Sequence, residues 1–129
     1  MRAVDTNILV RWITRDDPVQ TPAADAVMAG PVFIPFSVLV ELGWVLGGKT
    51  YRMSRADLAR VLARMLDVAT IAVPAEAGVR WAVERFASGA DLADMIHIVA
   101  SSQASAFVSF EDKLDALAGP DSPLPVQKP

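Results

Sequence analysis

The sequence predicts an α/β domain built on a mainly parallel central sheet of four or five short strands flanked by helices. Two observations lead there. Short β-branched segments alternate with longer stretches whose apolar residues recur at helical spacing, and Gly, Pro, Ser and Asp clusters fall between them. A third is size: 129 residues suit one domain, residues 1–129, with a core large enough to need no disulfide or zinc staple.

The elements follow in order. Arg2 to Asp5 reads as the first strand, which leaves Asp5 at its carboxyl end. Ile8, Leu9, Trp12 and Ile13 then mark one helix face, and Thr14 to Gln20 is a loop. Thr21-Pro22 supplies an N-cap and a first-turn proline for a helix running to about Met28. Val32 to Pro35 forms a second strand, and FSVLVELGWVLGG a helix that is apolar almost all round, ended by Gly47-Gly48. Ser54 with Asp57 three residues later caps a helix from Ser54 to Asp67, and Thr70 to Val73 is the third strand. Helices over Ala75 to Ala87 and over DLADMIHIVASSQA come next, Asp91 and Asp94 lying near the start of the second. Ala106 to Phe110 is the fourth strand, followed directly by Glu111-Asp112. Residues 120–129 hold four of the nine prolines and read as a loosely held tail with a short edge strand at Leu124 to Val126.

Composition narrows the chemistry. With 53% hydrophobic and 21% charged residues the chain is a folding sequence. The absence of cysteine excludes thiolate metal sites and cysteine nucleophiles, so a metal would sit on oxygen or on His97, the one imidazole. No apolar run approaches a membrane span and the opening MRAVDTNILV is no signal peptide, so a cytoplasmic protein with no membrane partner is expected. A net charge of -3 argues against a nucleic-acid partner, unless several acids are gathered where bound cations cancel them.

Four acids stand out. Glu41 interrupts an apolar helix with no Lys or Arg within one turn; it either faces solvent at an edge or needs a partner, ionic or metallic, from elsewhere in the fold. Asp94 is flanked by Leu92, Ala93, Met95 and Ile96, and shares a helix face with Asp91, which the helix dipole alone explains. Asp5 and Glu111 follow strands, where ligands bind in parallel sheets. Thr6 and Asn7 cap the next helix or orient Asp5, and Asp5-Thr6-Asn7 is also an ordinary turn sequence. Four converging carboxylates would repel one another unless divalent cations lay between them, and oxygen-only ligands select magnesium or manganese, the ions of phosphodiester hydrolysis.

These segments resemble the PIN-domain ribonucleases, in particular the VapC-like toxin of a VapBC (type II) toxin-antitoxin pair. VDTNILVR at 4–11 resembles that family's opening strand and turn, SVLVELGWVL at 37–46 its glutamate-bearing helix, DLADMIHIVAS at 91–101 its third acidic segment and VSFEDKL at 108–114 its fourth. The resemblance implies a metal-dependent endoribonuclease using one or two Mg2+ or Mn2+ ions, with Asp5, Glu41 and Asp94 as catalytic metal ligands and Ser109 before the last acid. The family usually has aspartate directly after the phenylalanine. This chain has Glu111 there and Asp112 one residue on, so Glu111 is the fourth ligand by alignment and Asp112 the shorter alternative. Asp91 matches a position behind the ligands. The resemblance further implies an RNA substrate, a homodimer and a cognate antitoxin.

Arg11 and Arg15, just after Asp5, are the candidate phosphate contacts. Five basic residues between Lys49 and Arg64 form either an RNA- or antitoxin-facing edge or a solvated helix face. The apolar excess, with Trp12, Trp44 and Trp81, predicts exposed patches for partners. A lone histidine on an apolar helix is expected to be a hydrogen-bonded core residue. Two other functions fit less of the sequence: a non-catalytic binding module, favoured by the Glu111-Asp112 departure, and an aspartyl-phosphate hydrolase, which would carry a second aspartate where Asn7 stands.

Overall fold

A computed structural model describes residues 1–129, which divide into two units, Met1–Pro74 and Ala75–Pro129. The first unit runs β1 (Arg2–Ala3), α1 (Thr6–Thr14), α2 (Gln20–Met28), β2 (Val32–Phe33), α3 (Phe36–Gly47), α4 (Arg55–Leu66) and β3 (Ile71–Ala72). Its strands pair in the order β1-β2-β3, all parallel, in the register Arg2↔Val32↔Ile71. A parallel pair cannot be closed by a hairpin, and here two helices fill each crossover. Val32 in the central strand and Ile34 just after it are fully buried, while Phe33 between them is half-buried.

The second unit runs α5 (Glu76–Ala87), α6 (Leu92–Ala100), β4 (Phe107–Val108), α7 (Leu114–Ala118) and β5 (Val126–Gln127). Thus the expected α/β class and parallel pairing hold, with the five strands divided into a three-stranded and a two-stranded sheet. Each strand is only two residues long, shorter than the sequence reading gave. Proline is the reason at several ends: Pro31 and Pro35 bracket β2 and Pro74 follows β3, none having an N–H to extend a ladder.

Helix termini follow the sequence closely where a side chain caps them. Ser54 accepts the Asp57 N–H at 3.1 Å and α4 ends at Asp67, as read. The start of α2 differs from the Thr21 cap expected there. Asp17 accepts the N–H groups of Val19 and Gln20 at 2.9 and 2.7 Å, so the helix begins at Gln20 and Thr21 is buried inside it. At the end of α3, a Cβ on Gly48 would lie 2.7 Å from the Trp44 carbonyl oxygen, so only glycine fits that turn.

The proline-rich tail is tied down rather than loose. Phe107 and Ser109 donate to the carbonyls of Pro125 and Gln127, both at 2.9 Å, and Leu124 is buried. Pro125 has no N–H of its own, which shifts the strand from Leu124–Val126 to Val126–Gln127. In the same unit α5 lies so close on α6 that a Cβ on Gly78 would come within 2.7 Å of a Val99 methyl. No helix is long and apolar enough to cross a membrane.

The loop between α1 and α2 is held by a polar clasp. Arg11 donates to Asp16, Tyr51 and Gln20 at 3.0, 3.1 and 2.8 Å, while Tyr51 and Thr14 donate to Asp16 at 2.6 and 2.8 Å. Arg15, itself at a left-handed φ of 57°, forms a two-pronged pair with Asp25 at 2.8 and 2.7 Å. The Tyr51 hydroxyl, then Thr14 and Arg11, pull the Asp16 carboxyl down from 3.8 to about 2. A carboxyl depressed by folding stabilises the fold above its unfolded value and loses that contribution as pH falls through its folded one.

Two outcomes are expected. Tyr51→Phe should lower the Tm at neutral pH, with the gap from the parent closing as pH is taken from about 4 towards about 2 in thermal melts. Gly78→Leu should destabilise by about 1–3 kcal/mol in urea unfolding, because Val99 has no free volume to yield.

Candidate active site

In the first unit, Asp5 follows β1 by two residues and sits at the N-cap of α1, its carboxylate accepting the Ile8 N–H at 3.2 Å. Asp5 is exposed, as is Asn7, whereas Thr6 is buried and its hydroxyl donates to Glu41 Oε1 across to α3. Thr6 therefore orients Glu41 and not Asp5. Glu41 itself is exposed, which selects the solvent-facing edge from the two alternatives the sequence left open, and no Lys or Arg pairs with it. Hydration and the Thr6 hydroxyl, with no ionic partner, make the charge tolerable in that helix.

In the second unit, Asp91 is the N-cap of α6 and accepts the Asp94 N–H at 3.0 Å. Asp94 is consequently in the first turn of the helix, near its positive end. It is half-buried, and its carboxyl is pushed up from the ordinary value. Desolvation is the main cause; Asp91 and Glu111 add to the shift and His97 opposes it. Asp94 thus feels the charges of Asp91, Glu111 and His97. His97 is exposed, not the core residue expected, and its carbonyl accepts the Ser101 hydroxyl.

The neighbouring acids at 111 and 112 separate clearly. Ser109 Oγ accepts the Glu111 N–H at 3.0 Å, closing a tight turn after β4. Glu111 acts on Asp94 through its charge, whereas Asp112 is ion-paired with Lys128 from the strand β5 segment. Lys128 carried no signal in the sequence, because its reach to Asp112 depends on the β4–β5 pairing. Arg11 and Arg15, read as phosphate contacts, are both engaged within the clasp described above. The five basic residues from Lys49 to Arg64 are all exposed, Arg60 pairing with Asp57.

Within either unit, no group of three or more acid or histidine side chains stands close enough to enclose a metal ion. The donors present are nonetheless all hard oxygens, apart from His97. Such sets suit magnesium, which keeps several waters and is commonly held by one or two carboxylates. Asp94 with Glu111, and Glu41 fixed by Thr6, fit an ion of that habit.

The PIN domain family model matches residues 2–120, spanning both units. The chain belongs to the PIN domain family. No curated protein and no solved structure matches it.

The raised Asp94 carboxyl fixes a sign. A carboxyl whose pKa is raised by folding binds its proton more tightly in the folded state, so ionising it at neutral pH opposes folding. Asp94→Asn should therefore raise the Tm in chelator-treated buffer, read by thermal melts, and should abolish any further rise that added Mn2+ gives the parent chain.

Proposed function

We propose that this PIN-domain chain is a metal-dependent endoribonuclease that hydrolyses RNA phosphodiester bonds, with metal ligands drawn from Asp5, Glu41, Asp94 and Glu111. Family membership supports a nuclease. The observation that carries the metal is the state of Asp94: a half-buried carboxyl held up by desolvation and by two further acids, with no basic side chain paired to it. Like charges kept together at a cost to folding are the signature of a place meant for a cation. One or two Mg2+ or Mn2+ ions, when bound, would lower the pKa of an attacking water and neutralise charge on the phosphate.

The chain's own residues then have distinct work. Thr6 donates to Glu41 and leaves its second carboxylate oxygen free to face solvent. Asp91 caps α6 and so fixes the backbone from which Asp94 projects. Ser109 sets the turn that carries Glu111. Asp112, tied to Lys128, is the weaker choice for the fourth ligand. We assign the chain to the toxin side of a toxin-antitoxin pair, acting in the cytoplasm as a homodimer restrained by a cognate antitoxin; the support is the sequence resemblance. Arg11 and Arg15 contact RNA in this reading through whatever donors the clasp leaves free.

A second reading has two observations behind it. With no ready-made group of three ligands in either unit, and glutamate in the fourth position, the chain could bind RNA without cutting it.

Incubation of the purified chain with structured RNA and with single-stranded DNA, with and without Mn2+, decides between them. We expect RNA cleavage only with the metal, reduced at least about 10- to 100-fold in Asp5→Asn and in Glu111→Gln, and changed far less in Asp112→Asn. Metal-independent cutting, or equal cutting by Asp5→Asn, would sink the mechanism. RNA binding that persists without any cleavage would establish the binding module.

A further inference from the structure

Five large apolar side chains lie open to solvent: Met1, Val19, Trp44, Val108 and Phe110. Both aromatic residues among them are near neighbours of a candidate ligand along the chain. Trp44, 65% exposed, follows Glu41 by three residues on α3, so the two project about 60° apart from one face of the helix. Phe110, 87% exposed, is bonded directly to Glu111 in the turn after β4.

Neither ring serves the fold. The packing of α3 is done by Leu39, Val40, Leu42 and Leu46, all buried. Trp12 and Trp81 are half-buried, which leaves Trp44 as the exposed indole. A solvent-facing ring offers a flat face, and every nucleobase has a matching one. One turn beyond Trp44, α3 ends in a segment that carries exposed Lys49 and Arg52, cations of the kind that follow a sugar-phosphate strand.

We propose that Trp44 and Phe110 are base-stacking platforms, each holding an unpaired nucleotide of an RNA strand next to the acid it flanks. The inference rests on the nuclease reading for its RNA, and adds the residues that grip the bases. Stacking of this kind tolerates any base and requires one that has left its duplex, since paired bases already stack on each other. A second copy of the chain is the other occupant such a face could take. It fits less well, because Glu41 on the same face has no cationic partner and would be carried with Trp44 into a dry interface.

The test uses a short 2′-O-methyl oligonucleotide of mixed sequence in Mg2+ buffer, read by indole fluorescence and by anisotropy. Quenching is expected in the parent and lost in Trp44→Phe, which should keep most of the affinity. Trp44→Ala and Phe110→Ala should each weaken binding about 5- to 150-fold, the equivalent of about 1–3 kcal/mol, while Phe110→Tyr retains it. The same sequence as a duplex should bind more weakly and respond to neither variant. In cleavage assays the alanine variants should raise KM much more than they lower kcat. Parent-like oligonucleotide affinity in both alanine variants would overturn the proposal, as would a Trp44→Ala chain that falls from dimer to monomer with affinity unchanged. The two readings fail separately. Stacking without cleavage keeps the platforms and removes the nuclease, and cleavage with parent-like KM in both variants does the reverse.

Discussion

A chain that makes parallel strands must leave the sheet after every strand and travel back outside it, and here that constraint governs where the chemistry-bearing residues fall. The chain has five strands of two residues each, and none is long enough to dominate the fold. What they do is deliver the backbone to the start of the next element. After β1 comes Asp5, which caps α1; after β4 comes the Ser109 turn, which ends in Glu111. Acids placed at such junctions are anchored by backbone N–H groups, either accepting one through a carboxylate, as Asp5 does, or riding on a turn that accepts one; Asp91, between α5 and α6, is held in the first way.

Asp94 shows how two local effects oppose each other. Its place in the first turn of α6 favours the charged form through the helix dipole, while burial, Asp91 and Glu111 favour the protonated one. The second group prevails, and the carboxyl is raised. An ionised aspartate in that condition weakens the fold, and under the proposed function a cation would offset that cost, so one side chain would carry a trade between stability and function.

Much of this was legible in the sequence. The α/β class, the parallel pairing and the cap at Ser54 follow from periodicity and from side chains that bond to their own backbone, which are local facts, whereas Asp91 was read as a first-turn acid and is the N-cap. The rest is equally instructive. Glu41 was left between a solvent-facing edge and a buried charge in need of a partner, because a pattern of apolar neighbours does not say which side of α3 faces water; the structure takes the first. The tail was read as loose because its prolines suppress local structure, yet the carbonyls of Pro125 and Gln127 accept bonds as well as any others. The Asp16–Tyr51–Arg11 clasp joins residues 35 and 40 positions apart, beyond the reach of any spacing rule. For the site, the candidate acids were recognisable one by one. The division of labour between Glu111 and Asp112 depended on Lys128 and therefore on tertiary pairing.

The bond between Thr6 and Glu41 has a consequence for selectivity among occupants. Had the fold steadied Glu41 with a lysine or arginine, any incoming ion would first have to displace a covalently tethered rival of its own sign. A hydroxyl steadies the carboxylate while leaving its charge unspent. On the proposed metal-dependent reading the carboxylate geometry would be set in advance, and a cation reaching Glu41 would compete only with water.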